Sequence, residues 1–319
     1  MEHCKMSEYL IYGKIIIDDI RLSDGQIVSD VLGGGGPQAA FGARLWSNSV
    51  GLLSRSGTDL DSKHAATLRN LDIDLTGWIQ YPNIPTTRNG LLDYTEDGYM
   101  KFQDGNPLEH ALDRKNFTRL LQQSIDLPIT HQQPRMIHLI TEFADEPMVQ
   151  TAMELQKRGA LLSLEPIIDF ALWSNRNSIL DLLHVVDIAT PDWPSASGIA
   201  DTIDPAKVVR YWSHLGPQMI AIRHGSQGSY VWERDHDDIW HIPAVPVKVV
   251  DPTGAGNCYG GGLSVSYAIT KNAKLAGSCG SVAAKYLVER TGIPAFTASL
   301  QVEAQSLLES TIASANKIA

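Results

Sequence analysis

Two glycine-centred stretches of this 319-residue chain hold residue types and spacings that could do chemistry. The first is Asp251-Pro252-Thr253-Gly254-Ala255-Gly256-Asn257-Cys258-Tyr259-Gly260-Gly261-Gly262. Gly254 and Gly256 have no Cβ, so the backbone there can take φ > 0 and let a ligand come close. Leu263 and Tyr267, four residues apart, begin an apolar helical face. The unpaired N–H groups of that helix's first turn would face the ligand. A helix N-terminus combines donors with partial positive charge, which suits a phosphate or a developing oxyanion. No Gly-Lys-Ser/Thr follows the glycines, so this is not a Walker A loop. The second stretch, Gly33-Gly34-Gly35-Gly36-Pro37-Gln38-Ala39-Ala40-Phe41-Gly42-Ala43-Arg44-Leu45, runs four glycines into a small-residue helix. Pro37 fits the first turn of that helix.

The elements that must position these stretches can be read from the flanking patterns. Val245–Val250 is short, β-branched and alternating, which predicts a strand leading into the first turn. Tyr9–Ile17 predicts a buried first strand, closed by Asp18-Asp19. Residues 49–56 predict a strand and residues 61–70 a helix, and residues 86–102 a hairpin turning at Glu96-Asp97-Gly98. From Arg135 the pattern alternates: strands at 136–140, 161–164 and 218–222, helices at 147–158, 177–186 and 205–214, with Gly159 just past a helix end. Helices over 273–290 and 300–318 close the chain. This alternation predicts an α/β, doubly wound sheet flanked by helices, in one domain spanning residues 1–319. A small β lid is drawn from about 10–35 and 80–105.

Composition narrows the function classes. The formal charge of −10 and the lack of a basic run argue against nucleic acid or an anionic membrane as main partner. The N-terminus has no signal-like apolar run, and no stretch nears the ~20 apolar residues that span a bilayer. Cys4, Cys258 and Cys279 are few and lack metal-type spacing, which favours a reducing compartment. The expected location is the cytoplasm. Cys258, beside the first turn, reads better as a small buried residue than as a reactive thiol.

Asp251–Asn257 resembles the C-terminal signature Asp-Thr-x-Gly-Ala-Gly-Asp of the ribokinase-like (PfkB) carbohydrate and nucleoside kinases, and the Gly33–Leu45 stretch resembles their N-terminal signature. The resemblance runs from Tyr9 to the last helix. It implies that the Gly254, Ala255 and Gly256 amides form an anion hole for the transferred phosphoryl group. It places Asn257 where the family has its catalytic Asp, and an amide cannot act as a carboxylate base. Asp18, with Asp19 the alternative register, would bind acceptor hydroxyls alongside Gly33, Gly34 and Gln38, the last standing where the family has Asn. A carboxylate suits this because it can accept from two vicinal hydroxyls. Arg223, Gly225 and Gly228 match a turn along the nucleotide phosphates, with Arg223 in place of Thr. Asp251 and Thr253 match a monovalent-cation loop, so K⁺ is a candidate beside ATP and Mg²⁺. Glu165-Pro166 stands where Asp-Pro is common. Thr190-Pro191-Asp192-Trp193 lacks the Glu of the family's Asn-x-x-Glu, and Asp192 reads as a helix cap. Arg88, Asp104 and Asn106 are weak lid candidates, and lid strands of this kind often form a homodimer interface. The Gly-Gly-Gly-Gly cluster combined with Asp-Pro-Thr-Gly-x-Gly-Asn is similar to the fungal maintenance-of-killer subgroup.

The expected function is therefore ATP-dependent phosphoryl transfer to a hydroxyl of a sugar, nucleoside or similar polyhydroxy ligand, slowed by the missing base. Two alternatives stand beside it: an inactive ligand-binding regulator, and an enzyme reusing the anion hole for non-kinase chemistry. Under the first reading Asn257→Asp should raise activity. Under the last, an added charge beside the anion hole should lower it.

Overall fold

The computed structural model describes residues 6–94, 113–168 and 174–319. In chain order the elements are β1 (Tyr9–Tyr12), β2 (Ile16–Arg21), β3 (Ile27–Gly33), α1 (Gly36–Arg44), β4 (Val50–Gly57), α2 (Ser62–Arg69), β5 (Trp78–Tyr81), β6 (Thr87–Leu92) and α3 (Arg114–Leu121). Then come β7 (Met136–Thr141), α4 (Pro147–Lys157), β8 (Leu161–Pro166), α5 (Arg176–Leu183), β9 (Ile188–Ala189), α6 (Trp193–Ala200), α7 (Pro205–Ser213) and β10 (Met219–Arg223). The chain ends with β11 (Ser229–Glu233), β12 (Ile239–Ile242), α8 (Ala255–Thr270), α9 (Ala273–Val288), α10 (Ala298–Ser314) and β13 (Asn316–Lys317).

Ten strands form one sheet in the order β13-β12-β11-β10-β9-β8-β7-β1-β4-β5. From β10 to β5 neighbours are parallel, and β10 to β13 pair antiparallel. All four residues of β1 are buried, as befits a strand covered on both faces. Its alternation sorts the two helical layers. Leu10 and Tyr12 join the core under α4, α5, α6 and α7, while Tyr9 and Ile11 join the core under α1, α8, α9 and α10.

The second sheet has the order β3-β2-β6, with β2–β3 antiparallel and β2–β6 parallel. Tyr9–Ile17 is thus not one strand. The chain leaves the large sheet after Tyr12 and enters the small one at Ile16, so the small sheet starts at 16, where the expected lid started at about 10. Asp18 lies inside β2 rather than at a strand end. Of the expected hairpin, Thr87–Leu92 is a strand; the proposed turn at 96–98, Asp104 and Asn106 lie outside the described residues.

Three other expectations change. Val245–Val250 is not a strand. Pro243 and Pro246 remove backbone donors, and Val250 N–H instead donates to Val288 O at 2.7 Å. The last helix stops at Ser314, because Asn316–Lys317 pairs with β12. The antiparallel strands β11 and β12 were not read from the sequence. No helix among the described residues is long and apolar enough to cross a membrane.

Candidate active site

Strands β1, β7, β8, β9 and β10 run to one cleft of about 1040 Å³, which residues of the small sheet also line. Open α/β sheets bind ligands at the carboxyl ends of their strands. Lys14, Glu142, Glu165 and Arg223 stand at or just past the ends of β1, β7, β8 and β10.

Gly254 caps α8 with φ 75°, a left-handed conformation in which glycine carries no steric penalty. Gly254, Ala255, Gly256 and Asn257 all line the cleft. Gly256 is bare for a second reason: a Cβ there would lie 2.1 Å from Arg223 Nη1. The guanidinium therefore lies against the first turn of α8, and its Nε is buried without a partner. Arg223, Gly225, Ser226 and Gly228 line the same end, so the expected nucleotide turn meets the anion turn.

Asp18, 3% exposed, lines the same cleft. Its carboxylate accepts from the Asn89 amide, and its Oδ2 occupies the space that a Cβ on Gly33 would fill. Burial pushes the Asp18 carboxyl up to about 7, opposed by Asn89 and aided by Asp251 and Asp19. Asp19 instead accepts from the Asp30 backbone N–H and does not line the cleft. Gly34 lines the cleft, whereas Gly33 makes room for Asp18. Gln38 does not reach the cleft. Its Oε1 accepts from Gly35 N–H at 3.1 Å and its Nε2 donates to Leu32 O at 3.1 Å, so it braces the glycine turn.

A titration test follows from Asp18. A carboxyl raised in the folded state contributes stability that is full below its unfolded value and is lost as pH rises through about 7. Asp18→Asn is expected to gain on the native protein by about 2–3 kcal/mol between pH 5 and pH 8. Urea unfolding at the two pH values measures this; identical pH dependence in both proteins would make Asp18 an ordinary carboxylate.

Asp251 is 2% exposed and accepts from Thr253 N–H at 2.9 Å. Thr253 Oγ1 is buried close to the Asp251 carboxylate and the Tyr94 phenol and interacts with both. Asp192 caps α6, accepting from Ser195 N–H at 3.0 Å. Cys258 is fully buried, donates to Ala283 O at 3.2 Å, and burial pushes its thiol up, so it is a packing residue. Arg88 is exposed and pairs with Asp30 at 3.2 Å.

Two ion pairs at the strand ends were not anticipated. Lys14 Nζ donates to Ile140 O at 2.6 Å and to Glu142. Burial lowers the Lys14 amine, and Glu142 opposes that. A lysine inside the apolar run Tyr9–Ile17 was the available signal. Glu165 is buried, and its Oε1 accepts from Arg223 Nη1 and from Asn257 Nδ2, each at 2.7 Å. Burial alone would raise the Glu165 carboxyl, but Arg223 and His138 overcome it and hold it low.

A mixed sheet flanked by helices, with the N-terminus of α8 and a buried carboxylate lining one cleft, defines a ribokinase-like α/β fold. The profile of the pfkB family of carbohydrate kinases matches residues 6–297, and the chain belongs to that family. It is 24% identical to the cytidine kinase of Thermococcus kodakarensis over 82% of this chain and 89% of that one. It is 45% identical to the protein MAK32 of Saccharomyces cerevisiae over 62 residues, 19% of this chain and 17% of that one, which supports the fungal subgroup. A ribokinase II candidate of Escherichia coli, solved with ATP and Mg²⁺, superposes with a TM-score of 0.73 at 18% identity, over 96% of this chain and 100% of that one.

Proposed function

We propose that this protein transfers the γ-phosphoryl group of ATP to a hydroxyl of a sugar or nucleoside, at a rate limited by the absence of a carboxylate at position 257. The observation that carries this reading is the placement of Asp18 and the Gly254–Gly256 turn in one cleft, the first suited to hydroxyls and the second to phosphate. The acceptor oxygen attacks the γ-phosphorus, the bond to the β–γ bridging oxygen breaks, ADP leaves, and the hydroxyl proton passes to a phosphoryl oxygen or to water. The amides of Gly254–Gly256 and the Arg223 guanidinium face the charge on the transferred group. Asn257 can accept a hydrogen bond from the attacking hydroxyl and orient it, but cannot take its proton. A missing general base typically costs ~10²–10⁴-fold.

Mg²⁺ would be held mainly by the ATP phosphates and water, since Asp192 is engaged as a helix cap and Glu142 by Lys14. The buried Thr253 Oγ1 beside buried Asp251 fits a K⁺ loop. The small sheet covers the acceptor end and is the surface through which a homodimer would form.

ATP or ADP with Mg²⁺ is expected to bind and raise the melting temperature, with a stabilisation of about 2.7 kcal/mol at 100-fold excess over Kd. Titration calorimetry checks this, followed by ATP turnover against a panel of sugars and nucleosides. No binding at millimolar nucleotide would overturn the reading. Binding without turnover on any acceptor favours the second reading, a ligand-binding protein that has lost catalysis. The engagement of Asn257 by Glu165, together with Asp192 serving as a cap, favours that second reading.

A further inference from the structure

We propose that Glu165 is a positioning residue for the anion-binding turn, and that residues 165 and 257 form one carboxylate–amide unit that holds a single negative charge. The inference deepens the proposed function; it rests on the kinase reading for what the turn binds, and on geometry for the rest.

A carboxylate only accepts, so the part of the Asn257 side chain facing Glu165 is its NH₂ group. The carbonyl oxygen is left for the cleft, which Asn257 lines and Glu165 does not. The oxygen that holds Asn257 also holds Arg223, and Arg223 lies against Gly256. One carboxylate oxygen thus sets both the amide that meets the acceptor and the guanidinium that meets the phosphate. The other oxygen faces His138 Nε2 at 3.3 Å, and His138 Nδ1 faces Ser163 Oγ at 2.9 Å and Ser264 Oγ at 3.1 Å. With Nε2 protonated the ring donates to Glu165 and accepts from a serine hydroxyl. The fold makes space for this unit: a Cβ on Gly260 would lie 2.4 Å from Glu165 Oε2 and 3.0 Å from His138 Nε2. A Cβ on Gly35 would meet the Asn257 amide at 3.0 Å.

The charged groups around position 257 are Glu165 on β8 and Arg223 on β10, with His138 on β7 behind Glu165 and Lys14 after β1 close enough to feel it. The side toward α1 presents Gly35 and the uncharged Gln38. A carboxylate introduced at 257 would therefore face a second carboxylate at hydrogen-bond distance, and two such groups do not both ionise readily. Asn257→Asp alone does not restore a free base. Asn257→Asp combined with Glu165→Gln exchanges the roles: the new amide donates to the new carboxylate, and its oxygen accepts from Arg223.

The test is thermal unfolding from pH 5 to pH 8 of the native protein, Asn257→Asp, Asn257→Ala, Glu165→Gln and the double variant. A carboxyl raised in the folded state loses stability as pH rises through its folded value. Asn257→Asp is expected to lose roughly 2–5 °C more between pH 5 and pH 8 than the native protein does. Asn257→Ala should show no added slope, and the double variant should return to the native slope. The proposal is overturned if Asn257→Asp follows the native pH dependence, or if Glu165→Gln leaves the added slope in place. Should Glu165→Gln not fold, the comparison of Asn257→Asp with Asn257→Ala decides, since both keep Glu165. ATP turnover by the same proteins separates the two claims. A coupled pH slope with no turnover in any variant upholds the positioning role and removes the kinase reading. A native-like slope in Asn257→Asp with full turnover keeps the kinase reading and removes the positioning role.

Discussion

Arg223→Met is expected to destabilise the protein by about 3–5 kcal/mol near neutral pH, because it leaves the buried Glu165 carboxylate without its cation. The pair is 2.7 Å apart, with the Arg223 side chain 14% exposed and that of Glu165 2% exposed. Breaking such a pair costs far more than breaking a surface one, because the remaining charge cannot regain its water. The sign of the pH dependence follows. In the native protein the Glu165 carboxyl is held low, so its contribution is present above its unfolded value and is lost as pH falls. Without Arg223 burial dominates and the carboxyl rises, so the penalty should shrink at pH 5 relative to pH 8. Urea unfolding at both pH values reads the difference. A uniform loss below about 1 kcal/mol would make Arg223 a solvated strand-end charge. Nucleotide binding should weaken as well, since the same guanidinium lies against the α8 turn.

Gly261→Ala is expected to cost about 3 kcal/mol or more and to weaken nucleotide and acceptor binding together. A Cβ at 261 would lie 2.0 Å from the Ala39 carbonyl oxygen, and one at Gly42 would lie 2.0 Å from the Cys258 carbonyl oxygen. These contacts are backbone, which cannot swing aside as a flexible side chain can. Helices α1 and α8 would have to separate, beyond the ordinary cost of overpacking a core. The N-terminus of α8 carries the Gly254–Gly256 turn, and that of α1 follows Gly34-Gly35, so both glycine turns that line the cleft would shift. Denaturant unfolding and ADP calorimetry on one preparation measure the two effects. Full stability with intact binding would show that the helices tolerate the added methyl group.

Much of this protein is legible in its sequence because local rules decide it. The α/β alternation from Arg135 onward follows from hydrophobic period, helix caps such as Asp192 and turn glycines, all short-range properties. The turn at Gly254 is equally local, since a left-handed φ there favours glycine. Asp18 is reached through the family resemblance, as the acidic residue that follows an apolar run. What the sequence could not decide is where long-range pairing overrides a local pattern. Val245–Val250 alternates like a strand, yet its prolines and the Val288 carbonyl take it out of the sheet. Asn316–Lys317 continues a helical pattern, yet the open edge of β12 claims it. Most of all, nothing local joins Glu165, Arg223 and Asn257, which lie 58 and 92 residues from one another across the pairs they form. Their types and positions can be read one by one. Only the parallel packing of β8 and β10 beneath the first turn of α8 puts one carboxylate oxygen within 2.7 Å of both partners, and so decides that the amide at 257 belongs to the site's charge arrangement.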